Sequence, residues 1–266
     1  MAANGRHFRG RQSPVQHTKT MRSSTKRGNN RPSEISTALS DEDWEKANVA
    51  AHLDPRQARQ WSVRHGFFDG IKDSSVLPLH EVVMRNAPLE TVLAILRAYP
   101  QATGSRESSF GRLPLHCACR QNVKLEVVRM LLEENNGACL IPDNLGRLPI
   151  HYALSNGAGA DVVSLLLHVQ PNAARGYDEM GWTPLHVACS VGAPPEIIQT
   201  VLTAFPDAIV MKTSKGNTPE KCLSKAMAHR DSAKTLLRHS RKEFNRSFVN
   251  PLRRKRLPAP ETMVLV

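Results

Sequence analysis

Gly181-Trp182-Thr183-Pro184-Leu185-His186-Val187-Ala188-Cys189 decides the fold of this 266-residue chain, because versions of it return at a fixed interval. The counterparts are Gly111-Arg112-Leu113-Pro114-Leu115-His116-Cys117-Ala118-Cys119 and Gly146-Arg147-Leu148-Pro149-Ile150-His151-Tyr152-Ala153. A weaker copy stands at Leu77-Pro78-Leu79-His80 and a decayed one at Gly216-Asn217-Thr218-Pro219-Glu220. The prolines at 78, 114, 149, 184 and 219 set a spacing of 36 once and then 35 three times. Such a period is the signature of stacked supersecondary units.

The remainder of each unit repeats too. Val92, Val128, Val163 and Ile198 stand 14 residues after the first four prolines, followed by Ile95-Leu96, Leu131-Leu132, Leu166-Leu167 and Val201-Leu202. Apolar positions at i, i+3 and i+4 mark an amphipathic helix. Each of these helices runs into Pro100, Asn136-Gly137, Pro171 or Pro206, and an alanine follows as Ala102, Ala138, Ala173 or Ala208. The unit therefore reads turn, helix, turn, helix, loop. Proline at the first helical position loses only an N–H that has no partner there, and the glycine three residues earlier permits a tight turn. Small Ala118, Ala153 and Ala188 let neighbouring inner helices approach. No unit buries its apolar face alone, so stability comes from neighbour interfaces and the ends need polar caps.

At Thr183-Pro184-Leu185-His186-Val187-Ala188 the chain resembles the ankyrin repeat, whose T-P-L-H-x-A signature it matches at every position, while the other copies carry leucine for threonine. The resemblance covers about residues 74–240 and implies an all-α, helix-turn-helix repeat solenoid with short hairpin loops and about five units, the last a degenerate cap. The period exceeds the usual 33 residues by two, which places one extra residue in the inter-helix turn and one at the end of the second helix. The resemblance further implies that the motif histidine is structural, bonding within the turn. It implies too that the hairpin tips and the exposed side of the inner helices bind a partner protein.

Charge separates the segments. Residues 1–33 hold eight Lys and Arg with no acid, residues 229–266 hold ten against three acids, and the middle holds 18 against 21. The net charge of +12 thus resides in the ends. A nearly balanced array is a poor polyanion binder, so nucleic-acid contact is expected through the tails and not through the repeats. Residues 1–40, sparse in apolar groups, read as a disordered basic arm in preference to an amphipathic transit segment. Residues 41–73 read as a helical N-terminal cap, with Asp41 or Asp43 starting a helix and Trp44, Trp61, Phe67 and Phe68 covering the first full repeat. Residues 241–266 read as a basic disordered tail in which Arg253, Arg254, Lys255 and Arg256 form a nuclear-localisation or nucleic-acid patch. No apolar run is long enough for a signal peptide or membrane span, which gives the expectation of an intracellular protein, cytoplasmic or nuclear, without membrane attachment.

Chemistry is not nominated anywhere. His80, His116, His151 and His186 lie one per unit, a spacing that cannot assemble one metal site. Cys117, Cys119, Cys139, Cys189 and Cys222 include no C-x-x-C pair and read as buried reduced thiols. Phosphate-cradling loops, nucleophile elbows and zinc-type helix motifs are missing, so no enzyme activity, metal or cofactor is expected. What the array offers is a surface. The register puts Phe110, Leu145, Met180 and Trp182 along the tips with Arg112, Arg147 and Arg120 beside them, residue types enriched at interface cores. The expected function is that of a monomeric scaffold or adaptor holding a protein, through an acidic segment with apolar anchors. The alternative is a nuclear regulator whose basic tails supply import or nucleic-acid contact. A third reading docks the C-terminal Val264-Leu265-Val266 into a carboxylate-capturing domain.

Overall fold

A computed structural model describes residues 33–68, 70–223 and 229–249. Four units share one plan, each an inner helix, a turn, an outer helix and a five-residue 3₁₀ turn. The inner helices are α3 (Pro78–Met84), α5 (Pro114–Gln121), α7 (Pro149–Ser155) and α9 (Pro184–Val191). The outer helices are α4 (Leu89–Ala98), α6 (Leu125–Glu134), α8 (Ala160–Val169) and α10 (Pro195–Ala204). The 3₁₀ turns follow at Pro100–Gly104, Asn136–Leu140, Pro171–Arg175 and Pro206–Val210. In the fifth unit the inner helix is reduced to a 3₁₀ turn, Pro219–Cys222. Inner helix packs on inner helix and outer on outer along the stack.

The local chemistry explains the plan. Every inner helix starts with its proline at the first helical position. Thr183 Oγ1 accepts from the His186 N–H, as an N-cap should. Leu77, Leu113 and Leu148 have no acceptor to offer, and in all four units the histidine supplies the other half of a capping box. Its Nδ1 accepts the N–H of the N-cap residue, at 3.0 Å for His151 on Leu148. Its Nε2 meets a carbonyl of the next unit: Arg112 for His80, Arg147 for His116, Trp182 for His151 and Asn217 for His186, at 3.1–3.2 Å. The expected bond within the turn is present, and a second one crosses the repeat interface. The turn between helices passes through left-handed conformation at Asn86, Asn122, Gly157 and Gly192, residue types that tolerate it.

The aliphatic positions of the outer helices, the inner-helix alanines Ala118, Ala153 and Ala188, and the 3₁₀-turn alanines Ala102, Ala138, Ala173 and Ala208 are all buried in one continuous core. Tips join tip to tip: the carbonyls of Ser75, Phe110, Leu145 and Met180 accept from the N–H groups of Ser108, Asn144, Glu179 and Ser214. Gly146 and Gly181, with φ of +74° and +73°, sit against that next tip, and a Cβ on Gly146 would stand 3.0 Å from the Glu179 nitrogen.

Both ends differ from the sequence expectation. Residues 34–40, assigned to the basic arm, form helix α1 (Glu34–Ser40), capped by Ser33 and burying Ile35, Ala38 and Leu39 against α2 (Trp44–Leu53) and α3. Asp43 caps α2. The cap is not wholly helical, because β1 (Ser62–Arg64) pairs antiparallel with β2 (Ser74–Val76), with residues 65–68 and 70–73 in the loop between them. Arg64 fastens this hairpin, reaching Glu81 of α3 at 2.9 Å and the Ser36 carbonyl of α1 at 2.9 Å. At the other end α11 (Arg230–Val249) continues nine residues past the expected start of the tail, seating Ala233 and Leu237 in the core while its charged side faces out. Helix propensity and partial burial of Phe244 carry it on, where a reading by charge alone ended it. Arg253, Arg254, Lys255, Arg256 and the C-terminal tripeptide lie outside the described residues. Among the described residues no helix is long and apolar enough to cross a membrane.

Burial sets how the repeated side chains titrate. It pushes His80 and His116 down to about 4, and His151 and His186 below the ordinary imidazole range. A histidine depressed in the fold is neutral there at pH 7 and takes a proton more readily once unfolded, so stability is full above about pH 6.5 and is lost as the pH falls toward 4. For His80 alone that amounts to about 3 kcal/mol. Urea denaturation at stepped pH should give a midpoint that drops steeply over this window, and His80→Gln should flatten the dependence. Burial likewise raises the thiols of Cys117, Cys119, Cys139 and Cys189, while Cys222 is partly exposed. A thiol-labelling time course on native protein should modify Cys222 first, with the other four reacting only in denaturant.

Candidate partner-binding groove

Each tip is built on one acceptor side chain. Glu107 accepts from the N–H groups of Ser109, Phe110 and Arg112, Asp143 from those of Leu145 and Arg147, and Asp178 from those of Met180 and Trp182. Thr213 fills the place in the fifth unit, accepting from the Asn217 N–H. All four are buried. Satisfying several N–H groups with one carboxylate fixes the tip backbone and so the direction in which residues 110, 145, 180 and 182 project. Sequence reading missed this position. Its period of 36, 35 and 35 was available, but Glu, Asp, Asp and Thr share a role without sharing a letter.

The seven expected binding residues separate into two groups. Arg112 is the clear correction, being 4 % exposed and not a surface residue. Its guanidinium lies over the rings of Phe110, Phe68 and Tyr152 at 4.2, 4.9 and 5.1 Å, its Nε donates to the Tyr152 hydroxyl at 3.2 Å, and Asp143 stands 3.8 Å away. Tyr152 in turn donates to Asp143 at 2.6 Å, and burial raises its phenol. Phe110 is half-buried, edge-on to Phe68 at 6.0 Å and beneath Lys72. Arg120 donates to the Phe68 carbonyl at 2.9 Å. These three residues are thus taken up by the chain's own Phe68 and Lys72, from the loop between β1 and β2. The signal for that was weak, since the loop has no counterpart elsewhere in the array.

The remaining four are accessible. Leu145 and Met180 are exposed and Trp182 is half-buried. Arg147 occupies the register position of Arg112 but keeps 44 % of its side chain exposed, with Asp178 3.7 Å away. One substitution and one missing contact explain the difference. Val187 replaces Tyr152 on the following unit, and among the described residues no loop descends on this side. Between α7 and α9 this leaves an open cavity of about 280 Å³ lined by Arg147, Met180, Trp182, Val187, Ser190 and Val191. The apolar residues supply burial energy for an incoming group, and Arg147 supplies one charge at the edge.

Among known proteins, the model of the ankyrin repeats, in three copies, matches residues 79–175, which are the first three units described above. No curated protein matches the chain.

The two arginines of one register should respond oppositely to truncation. Arg112→Ala empties a buried ring sandwich, removes the donor to the Tyr152 hydroxyl and takes away the cation beside buried Asp143, at an expected cost of about 3 kcal/mol. Arg147→Ala removes a half-exposed cation at under about 1 kcal/mol. Equilibrium urea unfolding of both variants measures the contrast.

Proposed function

We propose that this chain, which carries ankyrin repeats, is a protein-binding module whose partner lies on the tips and inner helices of its third and fourth units. The observation that supports the reading is the open cavity between α7 and α9, where Met180, Trp182, Val187 and Val191 face outward together. Met180 and Val191 are exposed there beside half-buried Trp182 and Val187, and an apolar concavity of this kind supports reading the face as an interaction site. Ankyrin repeats act generally as protein–protein interaction modules, and the role assigned here, a scaffold or adaptor without catalysis, follows that general use.

The partner segment carries apolar anchors for the cavity and a carboxylate beside Arg147. Anchors of this kind contribute most of the affinity, while the charge at the rim guides orientation. Nuclear import through Arg253–Arg256 is a separate property that the array neither needs nor prevents.

An affinity capture with the full chain tests this. A single protein should be retained by the wild type, and retained at both about 0.1 M and about 0.5 M salt, since apolar anchoring is weakly screened. It should be lost with Met180→Ala/Trp182→Ala. A partner that survives this double variant, washes off with salt, and disappears when Arg253, Arg254, Lys255 and Arg256 are changed to alanine would move the function to the basic tail.

A further inference from the structure

The repeat register allows one unit interface to be compared with another. Two units before the open cavity, in the interface between α3 and α5, Phe110 stands where Met180 stands, Arg112 where Trp182 stands, and Arg120 where Ser190 stands. All three of those earlier positions touch the same residue. Phe68 meets Phe110 ring to ring, lies under the Arg112 guanidinium, and gives its carbonyl to Arg120. It is 6 % exposed, so its ring is almost wholly buried in the place that corresponds to the cavity. The chain thus carries one occupied and one open version of the same site.

We propose that the open groove takes an aromatic side chain presented by a loop of the partner protein, seated as Phe68 is seated in the chain's own closed site. The inference rests on the reading of this face as a partner surface and deepens it by naming the anchor. The residues that line the groove favour an aromatic over an aliphatic group. Met180 offers a sulfur for contact with a ring edge, Trp182 offers a ring face or edge, and Arg147 offers a cation to the ring face. The Ser190 hydroxyl, in place of the Arg120 guanidinium, donates to the carbonyl of the anchor residue. A neutral donor in place of a charged one makes the open site the weaker of the two, as suits a partner that exchanges.

The experiment uses a fluorescently labelled peptide of residues 62–74, the chain's own loop, titrated into the full-length protein and read by anisotropy. Saturable binding is expected, weakened by at least about tenfold in a Phe68→Ala peptide and to a similar degree by Met180→Ala in the protein. Ser190→Arg, which installs the charged donor of the closed site, should tighten binding severalfold. Thermal melts by circular dichroism establish that both protein variants remain folded. Absence of saturable binding, or binding indifferent to Phe68→Ala, overturns the proposal. So does binding lost with Phe110→Ala and kept with Met180→Ala, which would mean that the peptide exchanges with the resident loop. If the peptide fails while the capture above still depends on Met180 and Trp182, the partner surface stands and the aromatic anchor falls.

Discussion

One imidazole per unit holds this stack in register. Its Nδ1 accepts from a backbone N–H, which can only donate, so the proton must sit on Nε2 and point at the carbonyl of the following unit. A single neutral ring therefore does two things at once: it starts its own helix, and it fixes the distance to the next. The protonated form keeps the Nε2–H but has no acceptor for the N-cap N–H, so it cannot do both, and burial keeps that form disfavoured. The arrangement also explains why leucine at the N-cap is tolerated in three units. The threonine of the fourth adds a second cap bond at a helix that the histidine has already started.

Once the frame is fixed, the residues hung on it at equivalent positions diverge according to what lies on either side. Arg112 and Arg147 are the clearest pair. Same register and same residue type lead to different environments, because Phe110, Phe68 and Tyr152 enclose Arg112, while Arg147 has the Tyr152 ring at 5.9 Å on one side and the open cavity with Val187 on the other. In a nearest-neighbour array each unit's surface is completed by the unit beside it, so the fate of a tip residue is a property of two units and not of one.

That same logic sets what could be read from the letters. The helices, their starts and the core positions were legible because each is repeated four times, and an apolar triplet that returns at helical spacing suits a buried helix face and little else. The open residues Leu145, Met180 and Trp182 were legible as tips for the same reason. The β1–β2 hairpin and the seating of Phe68 were not, since they occur once and the partners of Phe68, residues 110, 112 and 120, are about 40 to 50 residues away in sequence. The buried carboxylates at 107, 143 and 178 hid behind a one-residue shift: Glu107 lies seven before its proline, whereas Asp143 and Asp178 lie six before theirs. Helix α1 fell to a similar cause, as a seven-residue helix next to a basic segment carries too little periodicity to be separated from it, and its stability comes from Ile35 and Leu39 finding α2 and α3.

The ends of an array decide where it can bind. A first unit without a predecessor exposes the inner-helix face that later units cover, and here the cap answers with aromatics: Phe68 goes into the tip interface and Arg64 ties the hairpin down to Glu81. The cost of holding a loop of this length in place is conformational entropy, offset by burying a phenyl ring and by the charge-assisted bond from Arg120. Among the described residues nothing equivalent reaches the interface between α7 and α9, and that interface keeps small or flexible residues, Ser155, Ser190 and Met180, where the capped one has Met84, Arg120 and Phe110. Filling the groove with larger residues would have stabilised the stack through better packing. Its openness leaves Met180 in contact with solvent where its counterpart in the capped interface, Phe110, is half-buried.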